Sequence, residues 1–212
     1  MDGSRLQNTP AVILLRLLGD LLLLNLLTII CSLPVVTAGA SLSAMYAVLF
    51  DRRHNDDSVP VVKTFFHAFG QNFLQATVLE LILAVLAVLA FGDFWFAGNV
   101  QPPLRIVYQV IGTVIVILAL TVFLLAFTQQ SIFRNTVKNY LKNTVLLAFC
   151  APGRLVLAMA VWIAPWYLMV ILPEVFLLKF GYLYLLWGFS FPAWMTVWLL
   201  DCVFEKAGHH GS

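Results

Sequence analysis

Four side chains able to exchange protons, pair with ions or hydrogen-bond a solute stand inside stretches otherwise suited only to lipid: Arg16, Asp20, Asn25 and Glu80. An ionisable group at the centre of a bilayer costs about 2.5–3.5 kcal/mol on insertion scales, so each needs a partner or a wet surface. Arg16 and Asp20 are four apart and can pair on one helical face, although this order of charges is the weaker one. Two readings follow. In one, the four line a polar path for a solute. In the other, which is preferred, Arg16 snorkels, Asp20 and Asn25 fasten helices, and Glu80 finds Arg16 or the interface. A proton-coupled pump would show a longer relay of acids and histidines, and none of the four histidines lies deep in an apolar run.

Enzymatic chemistry has no visible carrier. The chain lacks a phosphate-binding glycine loop with lysine, an HExxH pair, a GxSxG elbow and paired carboxylates beside a nucleophile. It is therefore read as a non-enzyme without a cofactor, and an ABC ATPase is excluded. Cys31, Cys150 and Cys202 form no CxxC pair and read as small packing residues. His209 and His210 belong to a polar tail.

The elements that hold these residues are membrane helices. Of 212 residues, 62% are hydrophobic and 10% charged, and the mean hydropathy is +0.95. Apolar runs of about 20 residues, the length that crosses a hydrocarbon core of roughly 30 Å, recur along the chain without alternation, which specifies helices. The spans are expected over Ala11 to Leu33, Phe73 to Phe91, Leu104 to Phe127, Leu155 to Leu172 and Phe180 to Val203. The first is longer than a signal core of roughly 7–15 residues and reads as a retained helix. Lipid is thus the first partner, and a net charge of +2 with scattered basic residues argues against nucleic acid.

Basic residues set the orientation. Arg52, Arg53 and Lys63 fall in one loop and Arg134, Lys138, Lys142 and Arg154 in another, while the intervening loops hold only Arg105 and Lys179. By the positive-inside rule both basic loops and the C-terminus face the cytoplasm. After the first span, LPVVTAGAS (Leu33 to Ser41) supplies a helix break at Pro34, Thr37 and Gly39. Either the chain then returns as a short buried helix over Ala38 to Phe50, with Arg5 and Arg16 inside, or it lies at the surface with the N-terminus outside. The favoured architecture is a single all-α membrane domain, 1–212, of five full spans, a short N-terminal return helix and two cytoplasmic amphipathic helices.

Those amphipathic helices come from an internal echo. FFHAFGQNFLQATVL (Phe65 to Leu79) aligns without gaps with IFRNTVKNYLKNTVL (Ile132 to Leu146), with identities at Phe66/Phe133, Asn72/Asn139, Leu74/Leu141, Thr77/Thr144, Val78/Val145 and Leu79/Leu146. The pattern suggests an imperfect parallel repeat of 61–128 and 129–203. The first copy is expected to run into its span, and the second to break at Pro152 and Gly153. In the second, Arg134, Asn135, Lys138, Asn139, Lys142 and Asn143 make a polar face opposite Phe133, Val137, Tyr140, Leu141, Thr144 and Val145. Either these are plain interface anchors, or Phe66, Asn72, Phe73, Phe133, Arg134, Lys138, Asn139, Tyr140 and Lys142 dock a partner.

The asparagine of the first span, LPVVTAGASLSAMYAV (Leu33 to Val48), KTFFHAFGQNFLQA (Lys63 to Ala76) and LLDCVFEKA near the end together resemble the bacterial YesL-like family. Those proteins are small multi-pass membrane proteins of uncharacterised activity, commonly encoded beside carbohydrate ABC-transport components and glycan-degrading enzymes. The resemblance implies a place in the bacterial cell membrane and an accessory or assembly role in sugar uptake, with permease subunits or a second copy as partners. It carries no site residues. The alternative is an independent small transporter or channel with its path near Asp20, Asn25 and Glu80.

Overall fold

The computed structural model describes residues 10–55, 59–133, 135–175 and 181–209, and every regular element among them is helical. In chain order these are α1 (Pro10–Cys31), a 3-10 turn (Val35–Thr37), α2 (Ala38–His54), α3 (Val61–Asn99), α4 (Pro102–Ile132), α5 (Val137–Cys150), α6 (Pro152–Ile171), a single turn (Pro173–Val175), α7 (Gly181–Trp187) and α8 (Ser190–His209). Four of them, α1, α3, α4 and α6, are long and apolar enough to cross a membrane, and α7 with α8 makes a fifth if the bent pair is one span. The protein is a multi-pass membrane protein. Arg5, Arg134, Lys179, Phe180 and His210 lie outside the described residues.

The longest helix sets the depth scale. At 1.5 Å per residue the 39 residues of α3 extend about 58 Å, nearly twice a hydrocarbon core. Its exposed face changes along the way: Leu81, Val85, Val88 and Leu89 are wholly apolar, whereas Lys63, His67 and Gln71 mark the first turns as wet. The segment Phe65 to Leu79 is thus the first half of a helix that continues into the membrane. α4 returns antiparallel. Pro102 and Pro103 start it, because a proline at the first helical position forgoes only an N–H that has no partner there, while Gln101 before them is forced extended.

The return helix α2 is the most enclosed element. Ten of its 17 residues are buried, so it stands inside the bundle instead of against lipid. Ala40, Ala44, Met45, Tyr46, Val48 and Leu49 form the centre of the core with Phe65 and Leu79 of α3, Leu124 and Phe127 of α4, and Val197 and Leu200 of α8. Across the bundle, Trp162 Nε1 donates to Thr196 Oγ1 at 3.1 Å and ties α6 to α8.

Two expected elements are cut differently. The last span is not continuous: Gly181–Trp187 and Ser190–Phe204 meet at 57°. Pro192 cannot donate to the Gly188 carbonyl four residues back, and its ring would collide with that carbonyl, so the helix gives way between them. The second amphipathic copy also starts late, at Val137, after non-helical Phe133, Asn135 and Thr136. α5 buries Tyr140, Thr144 and Leu147, with Val137, Leu141 and Ala148 packed beside them. Val145, expected on that face, is 52% exposed, because Tyr140, Thr144 and Leu147 at helical spacing fix the buried stripe and the next residue after Thr144 is turned about 100° away from it. Segments 61–128 and 129–203 therefore differ in form: two long helices in the first, shorter pieces in the second.

Candidate functional site

The structure gives Asp20, Asn25 and Glu80 each a separate structural partner. Glu80 Oε2 accepts the Gly39 N–H at 3.0 Å. That N–H belongs to the first turn of α2, where no intrahelical acceptor exists and where the helix dipole favours a carboxylate. Thr77, one turn earlier on α3, donates to Val36 O at 3.2 Å. Thr37 closes the same turn through its bonds to Cys31 O and Pro34 O. Gly39 has an ordinary helical φ; it is required by close approach, since a Cβ there would lie 2.8 Å from Ala76 O and 3.1 Å from Phe127 Cε1.

Asp20 pairs with Arg52 at the far end of α2, not with Arg16, which is exposed. Asp201 on α8, 6% exposed, pairs with Arg53 and lies 3.4 Å from His54 Nε2. The arginines read from sequence as orientation signals are thus also ties from α2 to α1 and α8. Asn25 is fully buried. It donates to Leu185 O at 2.6 Å and accepts the N–H groups of Phe189 at 2.9 Å and Ser190 at 3.2 Å. These are the backbone groups that the α7/α8 break deprives of helical partners. Glu80 and Asp20 serve opposite ends of α2, about 20 Å apart by helical rise.

Open polar space occurs at the end bearing Arg52, Arg53 and Lys63. A cavity of about 570 Å³ lies between the last turns of α2 and α4, the first turns of α3, and α8. A second hollow of about 550 Å³ adjoins it, sharing Gln71 and Asn72 and reaching Asn135 and Thr136 before α5. α2 supplies Phe50, Asp51 and His54; α3 supplies Thr64, His67, Gln71 and Asn72; α4 ends in Gln130, Ser131 and Ile132. Gln130 is 2% exposed. Its Nε2 donates to Asn72 O at 3.2 Å, while its Oε1 is buried without a partner. His67 Nε2 is 2.7 Å from Gln71 Nε2.

The docking residues read from sequence divide here. Phe66, Lys138, Asn139 and Lys142 are exposed, and Phe133 stands at the cavity rim. Asn72 donates to Ser43 Oγ at 3.2 Å, and Phe73 packs against the core. Tyr140 is buried; its hydroxyl accepts the Asn135 N–H at 2.9 Å and donates to Phe133 O at 2.6 Å, and burial pushes its phenol above the ordinary range. Arg134 lies outside the described residues. Gln129 Nε2 donates to Thr144 Oγ1 at 3.0 Å, binding α4 to α5. Among the described residues no three His, Cys, Asp or Glu side chains gather in a metal-holding arrangement.

Residues 21–94 match a protein family of unknown function, DUF624. The match covers about a third of the chain. It takes in Asn25, the break at Pro34, all of α2 and the span-bearing part of α3, including the contacts of Glu80 with Gly39 and of Asn72 with Ser43. No curated protein and no solved structure matches the chain. Sequence reasoning passed over His54, His67, Gln71 and Gln130 because none interrupts a span. The signal that was present is Gln129–Gln130, two amides closing an otherwise apolar helix.

Proposed function

We propose that the protein is a non-catalytic accessory or assembly component of a carbohydrate ABC-type uptake system in the bacterial cell membrane. In this reading it holds a permease subunit through its spans and presents its basic end, with the C-terminus, to the cytoplasm. The observation that carries the proposal is the commitment of Asp20, Asn25 and Glu80 to fastening helices. Polar groups engaged in that way stabilise a scaffold and are withdrawn from any solute. Support for sugar uptake comes from the YesL-like resemblance of Leu33 to Val48 and Lys63 to Ala76. Support for the orientation comes from Arg52, Arg53, Lys63, Lys138, Lys142 and Arg154.

An independent transporter with its path at Asp20, Asn25 and Glu80 has less support, since these groups serve separate contacts along the bundle. The deciding experiment is affinity purification in mild detergent from cells that express the neighbouring genes. Recovery of permease subunits is expected. Recovery of none, together with solute flux in reconstituted vesicles that Asp20→Leu and Glu80→Leu abolish, would replace the accessory reading with the transporter.

A further inference from the structure

The basic residues flanking the spans are used in two different ways. On α2, Arg52 pairs with Asp20, and Arg53 and His54 face Asp201. Lys138 and Lys142 of α5 and Arg154 at the start of α6 are exposed, and none of them forms an ion pair among the described residues. No acid is near them in sequence either, since the chain carries no Asp or Glu between Asp93 and Glu174. From this contrast we propose that the outward stripe of α5 binds a phospholipid with an anionic headgroup, independent of which protein partner the chain holds.

The stripe is laid out for such an amphiphile. At about 100° per residue, Lys138, Lys142, Val145 and Phe149 fall within about 60° of one another, opposite the buried Tyr140, Thr144 and Leu147. Val145 is 52% exposed and Phe149 82%, so ammonium groups occupy the first half and apolar surface the second. Ile132 ends α4 and Pro152 starts α6. α5 therefore joins the ends of two spans on one side of the membrane, where headgroups lie. Its first turn holds no acid and Thr136 makes no side-chain cap, so the positive end of the helix dipole adds to the two lysines. A zwitterionic headgroup carries a cation of its own into that field, and an anionic one does not. A free phosphate would meet only the first half of the stripe, whereas a lipid covers the charged and the apolar half with one molecule.

The test keeps Cys150, exposed beside Phe149, as the only cysteine and labels it with a bimane fluorophore. Quenching by brominated phosphatidylglycerol or brominated phosphatidylcholine is then followed with the full chain in vesicles. Each lysine close to an anionic surface gives about a fivefold preference, so phosphatidylglycerol should be favoured at least about fivefold, and Lys138→Gln with Lys142→Gln should bring the ratio to about one. Lys63→Gln, at the same end of the bundle but on α3, should leave the ratio unchanged. If it lowers the ratio as much as the α5 pair does, the net charge of that end suffices and the site is overturned. Equal quenching in the parent, or an unchanged ratio in the folded double variant, overturns it as well. Quenching by neither lipid places protein over the stripe, and displacement of phosphatidylglycerol by glycerol phosphate assigns it to a soluble anion; either result refutes the lipid. Where the label disturbs folding, the unlabelled chain decides: its unfolding midpoint in phosphatidylcholine micelles should rise saturably with phosphatidylglycerol, and the double variant should lose that rise. No rise in the parent overturns the proposal.

Discussion

Removing the Asn25 amide tests whether the broken span is held from outside itself. Three backbone groups depend on that side chain: the Leu185 carbonyl and the N–H groups of Phe189 and Ser190. In water such groups would find solvent, but Asn25 is fully buried in an apolar span. Hydrogen bonds between membrane helices average about 0.6 kcal/mol and reach about 1.7, because the unfolded chain in lipid finds substitutes. Three therefore give about 2 kcal/mol, with a ceiling near 5 kcal/mol. Even the lower figure shifts the folding equilibrium roughly thirty-fold. Asn25→Leu and Asn25→Ala perturb packing in opposite directions while deleting the same bonds, so a loss common to both reports the bonds. The assay is reversible unfolding in mixed micelles followed by tryptophan fluorescence. Spin labels at the exposed positions Tyr182 and Trp198, in a background with the three cysteines replaced, should show a broadened distance across the 57° bend. If both variants stay within about 0.5 kcal/mol of the parent and the distance stays sharp, the clamp is refuted.

Three further substitutions give opposite signs or sharply local effects. Gly39→Ala should cost about 1–3 kcal/mol by overpacking, because the nearest atom, 2.8 Å from the new Cβ, is the immovable Ala76 carbonyl. Gly19→Ala, with nothing within 4 Å, should gain about 0.5–1 kcal/mol from helix propensity in the same unfolding assay. Tyr140→Phe removes the hydroxyl that joins Asn135 N–H to Phe133 O, and should cost about 1 kcal/mol while speeding hydrogen exchange at Asn135. Because burial raises the Tyr140 pKa on folding, its stabilisation is complete below pH of about 10 and falls above it; the Phe variant should lose that part of the alkaline decline.

What the sequence made legible was whatever a one-dimensional pattern can encode. Continuous apolar runs predicted the membrane helices, and the proline, glycine and small residues of LPVVTAGAS predicted a turn before a buried return helix. The bend at Gly188 to Pro192 was equally local, since Gly-x-x-x-Pro removes one helical bond and crowds its acceptor, but hydropathy averaged over a span conceals it. The drift of α5 away from Val145 is a matter of helical phase: six residues chosen from a fifteen-residue echo do not fix which stripe faces the bundle.

Partner choice was not legible, for a different reason. Arg16 and Asp20 satisfy the local rule for a helical pair, yet Asp20 goes to Arg52, 32 positions away, where α2 runs antiparallel beside α1. Glu80 was expected to find Arg16 or the interface and instead meets a peptide N–H at the start of a helix. In both cases the sequence showed that a polar group needed a partner, and only the fold showed which. Groups inside the spans are costly unless satisfied: Asp20, Asn25 and Glu80 are satisfied by Arg52, the α7/α8 break and the start of α2, whereas the Tyr46 hydroxyl, Gln130 Oε1 and the Ser190 hydroxyl are buried without a partner.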